Sequence, residues 1–351
     1  MPHLTTPAAI TQTADARAGA LSQWLATLGA PVAAIAIASA DASFRRYFRV
    51  TLDAPWRAAA GASTLIAMDA PPPKEDCRPY VHVARLLTQA GVHAPRIVAA
   101  DIAQGYLLMS DLGGQTYASV LDAGNAPGLY GDALDALVRM QNMRCEDELP
   151  PYDDALLRRE LALFPDWYVA RHLARTLTSA QRAALDAVFD ALVANNLAQP
   201  RVFVHRDYHS RNLMLATPNP GVLDFQDAVH GPITYDLVSL LRDAYVEWSE
   251  ERQLDWAIRY WERARRAALP VSADFGAFWR DFEWMGVQRQ LKVLGIFARL
   301  KHRDGKAGYI ADMPLVMRYL RRAAARYREL DPLTALLDAL DDPEASAGVA
   351  S

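Results

Sequence analysis

The chain has 351 residues, 52% hydrophobic and 22% charged, enough for one large domain or two lobes with sizeable cores and unlike a disordered chain. A formal net charge of −4 and two scattered cysteines, Cys77 and Cys145, give no global field for nucleic acid or an anionic membrane, no disulfide framework and no zinc site. No charged segment leads into an apolar run at the N-terminus, and no apolar run reaches ~18 residues, so a cytoplasmic monomer with no nucleic-acid or membrane partner is expected.

Met1 to Thr13 is small and polar. Ala14 to Leu28 predicts a helix, with Leu21, Trp24, Leu25 and Leu28 on one face and Gly29 ending it. Phe44, Tyr47, Phe48 and Val50 make a strand-like run within Ser39 to Leu52, and Thr64 to Met68 reads as the next strand. A proline-rich loop carrying Lys74 precedes a helix at about Arg78 to Gln89. Gly91 to Asp101 is a loop entering a strand at Ile97-Val98, and Gln104-Gly105 is a turn. Tyr106 to Met109 is an apolar strand that runs into Ser110-Asp111-Leu112-Gly113-Gly114. From Gln115 helices dominate. Ala133 to Asn142 has one apolar face, Leu156 to Leu163 is periodic up to Pro165, and Ser179 to Asn195 opens on a capping residue. A strand-rich first third followed by a helical remainder argues α+β.

The stretch from Val202 to Asp227 carries the chemistry. An apolar run, Val202-Phe203-Val204, leads into His205-Arg206-Asp207, and Asn212 follows five residues after the aspartate. A turn from Thr217 to Gly221 then leads to Leu223-Asp224-Phe225. This is the pattern of kinase catalytic loops. Phosphoryl transfer to a hydroxyl needs a carboxylate to orient the hydroxyl and accept its proton, and Asp207 suits that role. It also needs hard oxygen ligands for Mg²⁺, and Asn212 and Asp224 supply an amide oxygen and a carboxylate. A short hairpin turned by Pro218 to Gly221 can bring both to one metal.

Beyond it, Gly231 to Leu241 begins a helix whose Asp236 either caps it or holds the catalytic loop. Asp227 reads equally as a second metal contact or a turn residue, and Arg206 can brace the loop against a nearby acid. Arg252 to Ala267 and Phe275 to Lys301 are further helices. In the second, Arg289, Lys292 and Arg299 share one stripe with Ile296. That stripe is either a solvated basic face or part of an acceptor pocket. Asp331 to Ser351 reads as a short helix and a frayed tail.

His205 to Met214 and Leu223 to Asp227 resemble the aminoglycoside phosphotransferase family, a branch of the protein-kinase-like fold. Ser39 to Val50, Met68 to Arg78, Asp224 to Asp243 and Met285 to Leu300 resemble, within it, the anomeric sugar kinases of bacterial cell-wall recycling. The resemblance runs roughly from Ser22 to Tyr327. It implies a strand-rich nucleotide-binding lobe, 1–112, and a helical catalytic and acceptor-binding lobe, 113–351. It implies ATP and Mg²⁺, with Asp207 as catalytic base and Asn212 and Asp224 as metal ligands. The nucleotide contacts it implies are the Ser110, Asp111 and Leu112 backbone at the hinge and, in the covering hairpin, Ser43 with Arg45 or Arg46, unless that hairpin is an ordinary polar one. The hairpin lacks the family's glycines. Met68 stands where the phosphate-pairing lysine belongs, and the following helix has no glutamate partner for it. Lys74 is the nearest substitute, or else a solvated loop residue.

The acceptor that the resemblance implies is the C1 hydroxyl of N-acetylmuramate or N-acetylglucosamine, with Arg211, Arg289 and Lys292 as candidate substrate contacts. An aminoglycoside or other small-alcohol phosphotransferase is one alternative. A nucleotide-binding pseudokinase module is the other.

Overall fold

The computed structural model describes residues 8–29, 32–40, 44–53, 62–72 and 74–342. The chain divides into two compact units, Met1–Gly114 with Gly221–Gln226, and Gln115–Pro220 with Asp227–Ser351. The segment carrying Asp224 therefore packs with the N-terminal unit.

The first unit opens with helix α1 (Ala8–Thr27), followed by β1 (Val32–Ala40), β2 (Arg46–Leu52) and β3 (Thr64–Asp69). Helix α2 (Arg78–Gln89) and the hairpin of β4 (Ile97–Asp101) and β5 (Tyr106–Ser110) complete it. The strands form one antiparallel sheet in the order β1-β2-β3-β5-β4. The reading of the sequence missed most of β1, because its alanine-rich run has weak strand propensity. It forms by pairing with β2, Ile35 opposite Val50 and Ile37 opposite Phe48. Alternate residues of β2, Phe48, Val50 and Leu52, turn inward. They meet Leu21 and Leu25 of α1, with Leu65, Ala67, Tyr106 and Leu108, in one core. Each large side chain so buried contributes about 1.5–3 kcal/mol. The β4–β5 turn needs Gly105 at φ +76°, since a Cβ there would lie 1.9 Å from the Ala70 carbonyl oxygen.

The second unit is mostly helical. Helices α3 (Tyr117–Val120), α4 (Ala126–Gln141) and α5 (Asp154–Leu161) are followed by a π-helical segment, Phe164–His172, and by α6 (Ser179–Ala198). Next come β6 (Arg201–Val204) and β7 (Leu213–Met214), then β8 (Gly221–Val222) in the first unit, then β9 (Val229–Pro232) and α7 (Tyr235–Leu241). Helices α8 (Glu250–Arg266), α9 (Phe275–His302), α10 (Met313–Ala324) and α11 (Asp331–Asp341) end the described chain. Pro165 does not stop the helical path as its periodicity suggested. It sits in the first turn of the π segment, where a missing N–H costs little. The cap of α6 is Thr178, one residue before the expected Ser179, because its extended backbone lets it form a reciprocal capping box with Gln181.

Helix α9 is the axis of this unit, with every residue from Phe282 to Gly295 buried. At Gly295 a Cβ would lie 2.4 Å from the Leu163 backbone, so the glycine lets the chain entering the π segment pass against the helix. A helix buried all round can carry charge only where the charge is answered. Among the described residues, no helix is long and apolar enough to cross a membrane.

Candidate active site

Strand β6, paired antiparallel with β9, delivers the chain to His205. The backbone then turns through Arg206 at φ +77°, a left-handed conformation that is costly for a side chain of this size. Asp236, fully buried in the first turn of α7, holds it there. Its carboxylate accepts from the backbone N–H of His205 (2.6 Å) and of Arg206 (2.9 Å). Burial pushes the Asp236 carboxyl up to about 7, against those two hydrogen bonds. Of the two roles open to Asp236 in the sequence, the structure favours holding the loop.

The rest of the loop is fixed by its own bonds. Asn212 donates Nδ2 to the Asp207 carbonyl (2.9 Å), which directs its amide oxygen the other way. The His209 N–H donates to the same carbonyl (3.1 Å). Tyr208 is buried and donates to the Ala133 carbonyl (2.8 Å). Asp243 accepts from Ser210 N and Tyr245 N, each at 3.0 Å. Asn219, in the following turn, donates to Tyr117 Oη (2.8 Å) and Asp132 (2.7 Å).

Burial alone would raise the Asp207 pKa. The charges of Lys292, His209, Arg289 and Arg206 outweigh it and hold the carboxyl at about 2. Asp207 is therefore ionised at any working pH.

Two of those cations are answered by Glu160 of α5, a residue the reading of the sequence did not single out. Arg206 Nη2 lies 2.5 Å from Glu160 Oε1 and Lys292 Nζ 3.2 Å from it. Tyr152 Oη and Gln288 Nε2 donate to Oε2, the latter at 3.1 Å. Lys292 also donates to Tyr235 Oη (2.7 Å). Burial raises the Glu160 pKa, and Lys292 and Arg206 more than reverse it. Arg206 thus braces the loop as expected, while Arg289 and Lys292 are not a solvated face. They are 4% and 6% exposed, because α9 runs through the core. Arg211 is exposed, with its guanidinium 3.5 Å from the Tyr245 ring centre and 3.8 Å from Asp312.

In the first unit, Arg45 is flanked by Glu75 at 3.9 Å and Asp224 Oδ1 at 3.7 Å. Asp224 has φ +61° and accepts from Gln226 Nε2 at 3.0 Å. Phe225, fully buried, packs its ring 4.6 Å from Tyr80 of α2. Tyr80 in turn points its hydroxyl at Met109 Sδ, 3.2 Å away. So an aromatic contact stands on the helix that lacks the glutamate. Glu75 accepts from Phe44 N (3.0 Å), and Lys74 lies 4.3 Å over the Phe44 ring. Ser43 lies outside the described residues.

Asp69, beside the Met68 that stands in the lysine's place, is wholly buried. It takes Arg17 at 2.5 Å and also Arg46. At the end of β5, Ser110 Oγ accepts from Arg96 N (2.9 Å). Asp111 accepts from Arg49 Nε (2.6 Å) and Gly113 N (2.9 Å). The Leu112 backbone takes part in none of these bonds.

The oxygens of Asn212 and Asp224 are hard donors of the type Mg²⁺ takes. Asn212 spends its amide nitrogen on the Asp207 carbonyl and Asp224 keeps Arg45 at 3.7 Å, so each by itself fits a hard-oxygen ligand.

Residues 34–271 match the model of the phosphotransferase enzyme family. An N-acetylmuramate/N-acetylglucosamine kinase of Pseudomonas aeruginosa is 55% identical over 88% of this chain and 89% of its own. One of Neisseria meningitidis is 48% identical over 90% and 93%. Among solved structures, a choline kinase of Streptococcus pneumoniae superposes with a TM-score of 0.61 at 12% identity, over 89% of this chain and 99% of its own. An ADP-bound aminoglycoside phosphotransferase gives 0.53 at 13%, over 85% and 96%. These folds are kinase-like, as is the strand-rich unit followed by a helical one described above. With a family model across most of its length, a kinase-type loop at Asp207 and relatives about half identical to it, this chain belongs to the phosphotransferase enzyme family.

Proposed function

We propose that this phosphotransferase transfers a phosphoryl group from ATP to the C1 hydroxyl of N-acetylmuramate and N-acetylglucosamine, giving the sugar 1-phosphates of peptidoglycan recycling. The observation that carries the reading is the identity of 48–55% to kinases of that name over 88–90% of the chain. The enzyme acts as a monomer in the cytoplasm, where ATP is available. The N-terminal lobe, 1–112, takes the nucleotide and the C-terminal lobe, 113–351, the sugar.

Asp207 orients the hydroxyl and receives its proton as the bond to phosphorus forms. A carboxylate held at about 2 is a weak base. An anomeric hydroxyl is more acidic than an ordinary alcohol, so positioning and charge stabilisation lower most of the barrier. Asn212 and Asp224 would hold Mg²⁺, which when bound would neutralise charge on the β- and γ-phosphates. Arg45 serves the phosphates in place of the missing lysine, and the Ser110 to Leu112 backbone receives the adenine. The cations around Asp207 suit an oxygen-rich or anionic acceptor better than a polycationic aminoglycoside.

The test is ADP release from Mg·ATP with each sugar, with their methyl glycosides blocked at C1, and with kanamycin. Turnover on the free sugars and none on the glycosides is expected. Turnover on kanamycin alone, or on the blocked glycosides, refutes the reading.

A further inference from the structure

N-Acetylmuramate carries one group that N-acetylglucosamine lacks, the lactyl carboxylate on O3. Four cations surround the catalytic loop within the helical unit. Arg206 and Lys292 are spent on Glu160. Arg211 is exposed, stacked on Tyr245 and close to Asp312. Arg289 differs from all three. It is 4% exposed and, among the described residues, in no ion pair with a carboxylate; its Nε, like that of Arg206, is buried with no hydrogen-bond partner.

A buried guanidinium with no direct ion-pair partner is costly, and native proteins seldom keep one without a use for it. Two loop groups share the condition: His209 Nδ1 and Ser210 Oγ are buried without partners. The charge of Arg289 reaches Asp207, His209 and Tyr245. Tyr245 packs edge-on against His209, ring centres 5.4 Å apart, with the Arg211 guanidinium stacked 3.5 Å over its ring.

We propose that Arg289 is the specificity-determining residue for the acceptor: it takes the lactyl carboxylate of N-acetylmuramate. His209 and Ser210 are the adjoining polar contacts. The carboxylate hangs from O3, two ring carbons from C1, so its receptor belongs beside the base and not on it. Arginine meets a carboxylate through two parallel N–H bonds, a geometry lysine cannot copy. The inference rests on the sugar-kinase reading.

The test compares kcat/KM for the two sugars in the full chain, its Arg289→Gln variant and its Arg289→Lys variant, with thermal melts to check folding. The ratio of N-acetylmuramate to N-acetylglucosamine efficiency should fall ~10- to 100-fold in Arg289→Gln, mainly through KM, and recover in part in Arg289→Lys. A ratio within ~3-fold of wild type overturns the proposal. So does an equal loss of kcat on both sugars, which would assign Arg289 to the transferred phosphoryl group. Should the variants not fold, the wild-type enzyme is given the methyl ester of N-acetylmuramate. The ester should lose ~10-fold or more in kcat/KM against the acid, and an ester as good as the acid overturns the proposal. A wild-type enzyme inactive on both sugars fails the sugar-kinase reading as well, whereas an unchanged ratio fails this proposal alone.

Discussion

Replacing Glu160 by Gln would leave the half-buried Arg206 and the buried Lys292 without their shared ion-pair partner, while keeping the side chain's shape. Removing one partner of a buried ion pair costs about 3–5 kcal/mol. Glutamine retains an oxygen for one donor, and the Arg206 side chain is 20% exposed, so the lower end, about 3 kcal/mol, is expected. For a unit of some 200 residues that is a fall of about 6–10 °C in melting midpoint. Activity should fall further than stability requires. Arg206 is the residue at φ +77° directly before Asp207, and Glu160 is the carboxylate that ties its guanidinium. A small displacement of the base costs ~10-fold or more in kcat. Circular-dichroism melts and steady-state ADP release measure both. The double variant Glu160→Gln/Lys292→Met should regain part of the stability, because it removes one stranded cation and substitutes apolar packing. A midpoint within about 2 °C of wild type, with kcat within about twofold, would refute the network as the support of the loop.

Asp207→Asn should bind nucleotide normally and lose ~100-fold or more in kcat, and a near-normal rate would remove Asp207 from its role. The folded Asp207 pKa of about 2 lies below its unfolded value near 3.9. Its stabilising effect is therefore complete above the unfolded value and lost as pH falls through about 2, and no acid limb of kcat between pH 5 and 8 should come from it. Asp236 is shifted the other way, to about 7. Its contribution is complete below the ordinary carboxylate range and lost as pH rises through about 7. The ionised carboxylate is the form that accepts both loop N–H bonds, so an acid limb of kcat near pH 7 should belong to Asp236 and be missing from the pH profile of Asp236→Asn. Arg45→Ala should raise KM for Mg·ATP ~5-fold or more, while Lys74→Ala, stacked on exposed Phe44, should change it less than ~2-fold. The reverse order would return the phosphates to Lys74.

The residues proposed as base and metal ligands were legible because they are local. His205, Asp207 and Asn212 lie on one loop after a short apolar strand, and Asp224 follows a proline-rich turn, so spacing alone puts the right oxygens in order. The amphipathic helices were legible for a similar reason, since periodicity records which residues share a face. What the face meets is not recorded there. Arg289 and Lys292 have the spacing of a solvated stripe, and only the packing of other helices around α9 makes them interior charges.

The alanine-rich β1 shows the same limit. Pairing with β2, not its own propensity, makes it a strand. Sequence by itself thus determined the kind of chemistry and the order of the groups on the catalytic loop. Tertiary structure decided which acids answer which cations. Glu160 lies 46 residues from Arg206 and 128 from Gln288, and Asp69 lies 52 residues from Arg17. Such pairs leave no periodic trace, because a buried charge selects its partner through distance and exclusion of water, and both exist only once the chain has folded.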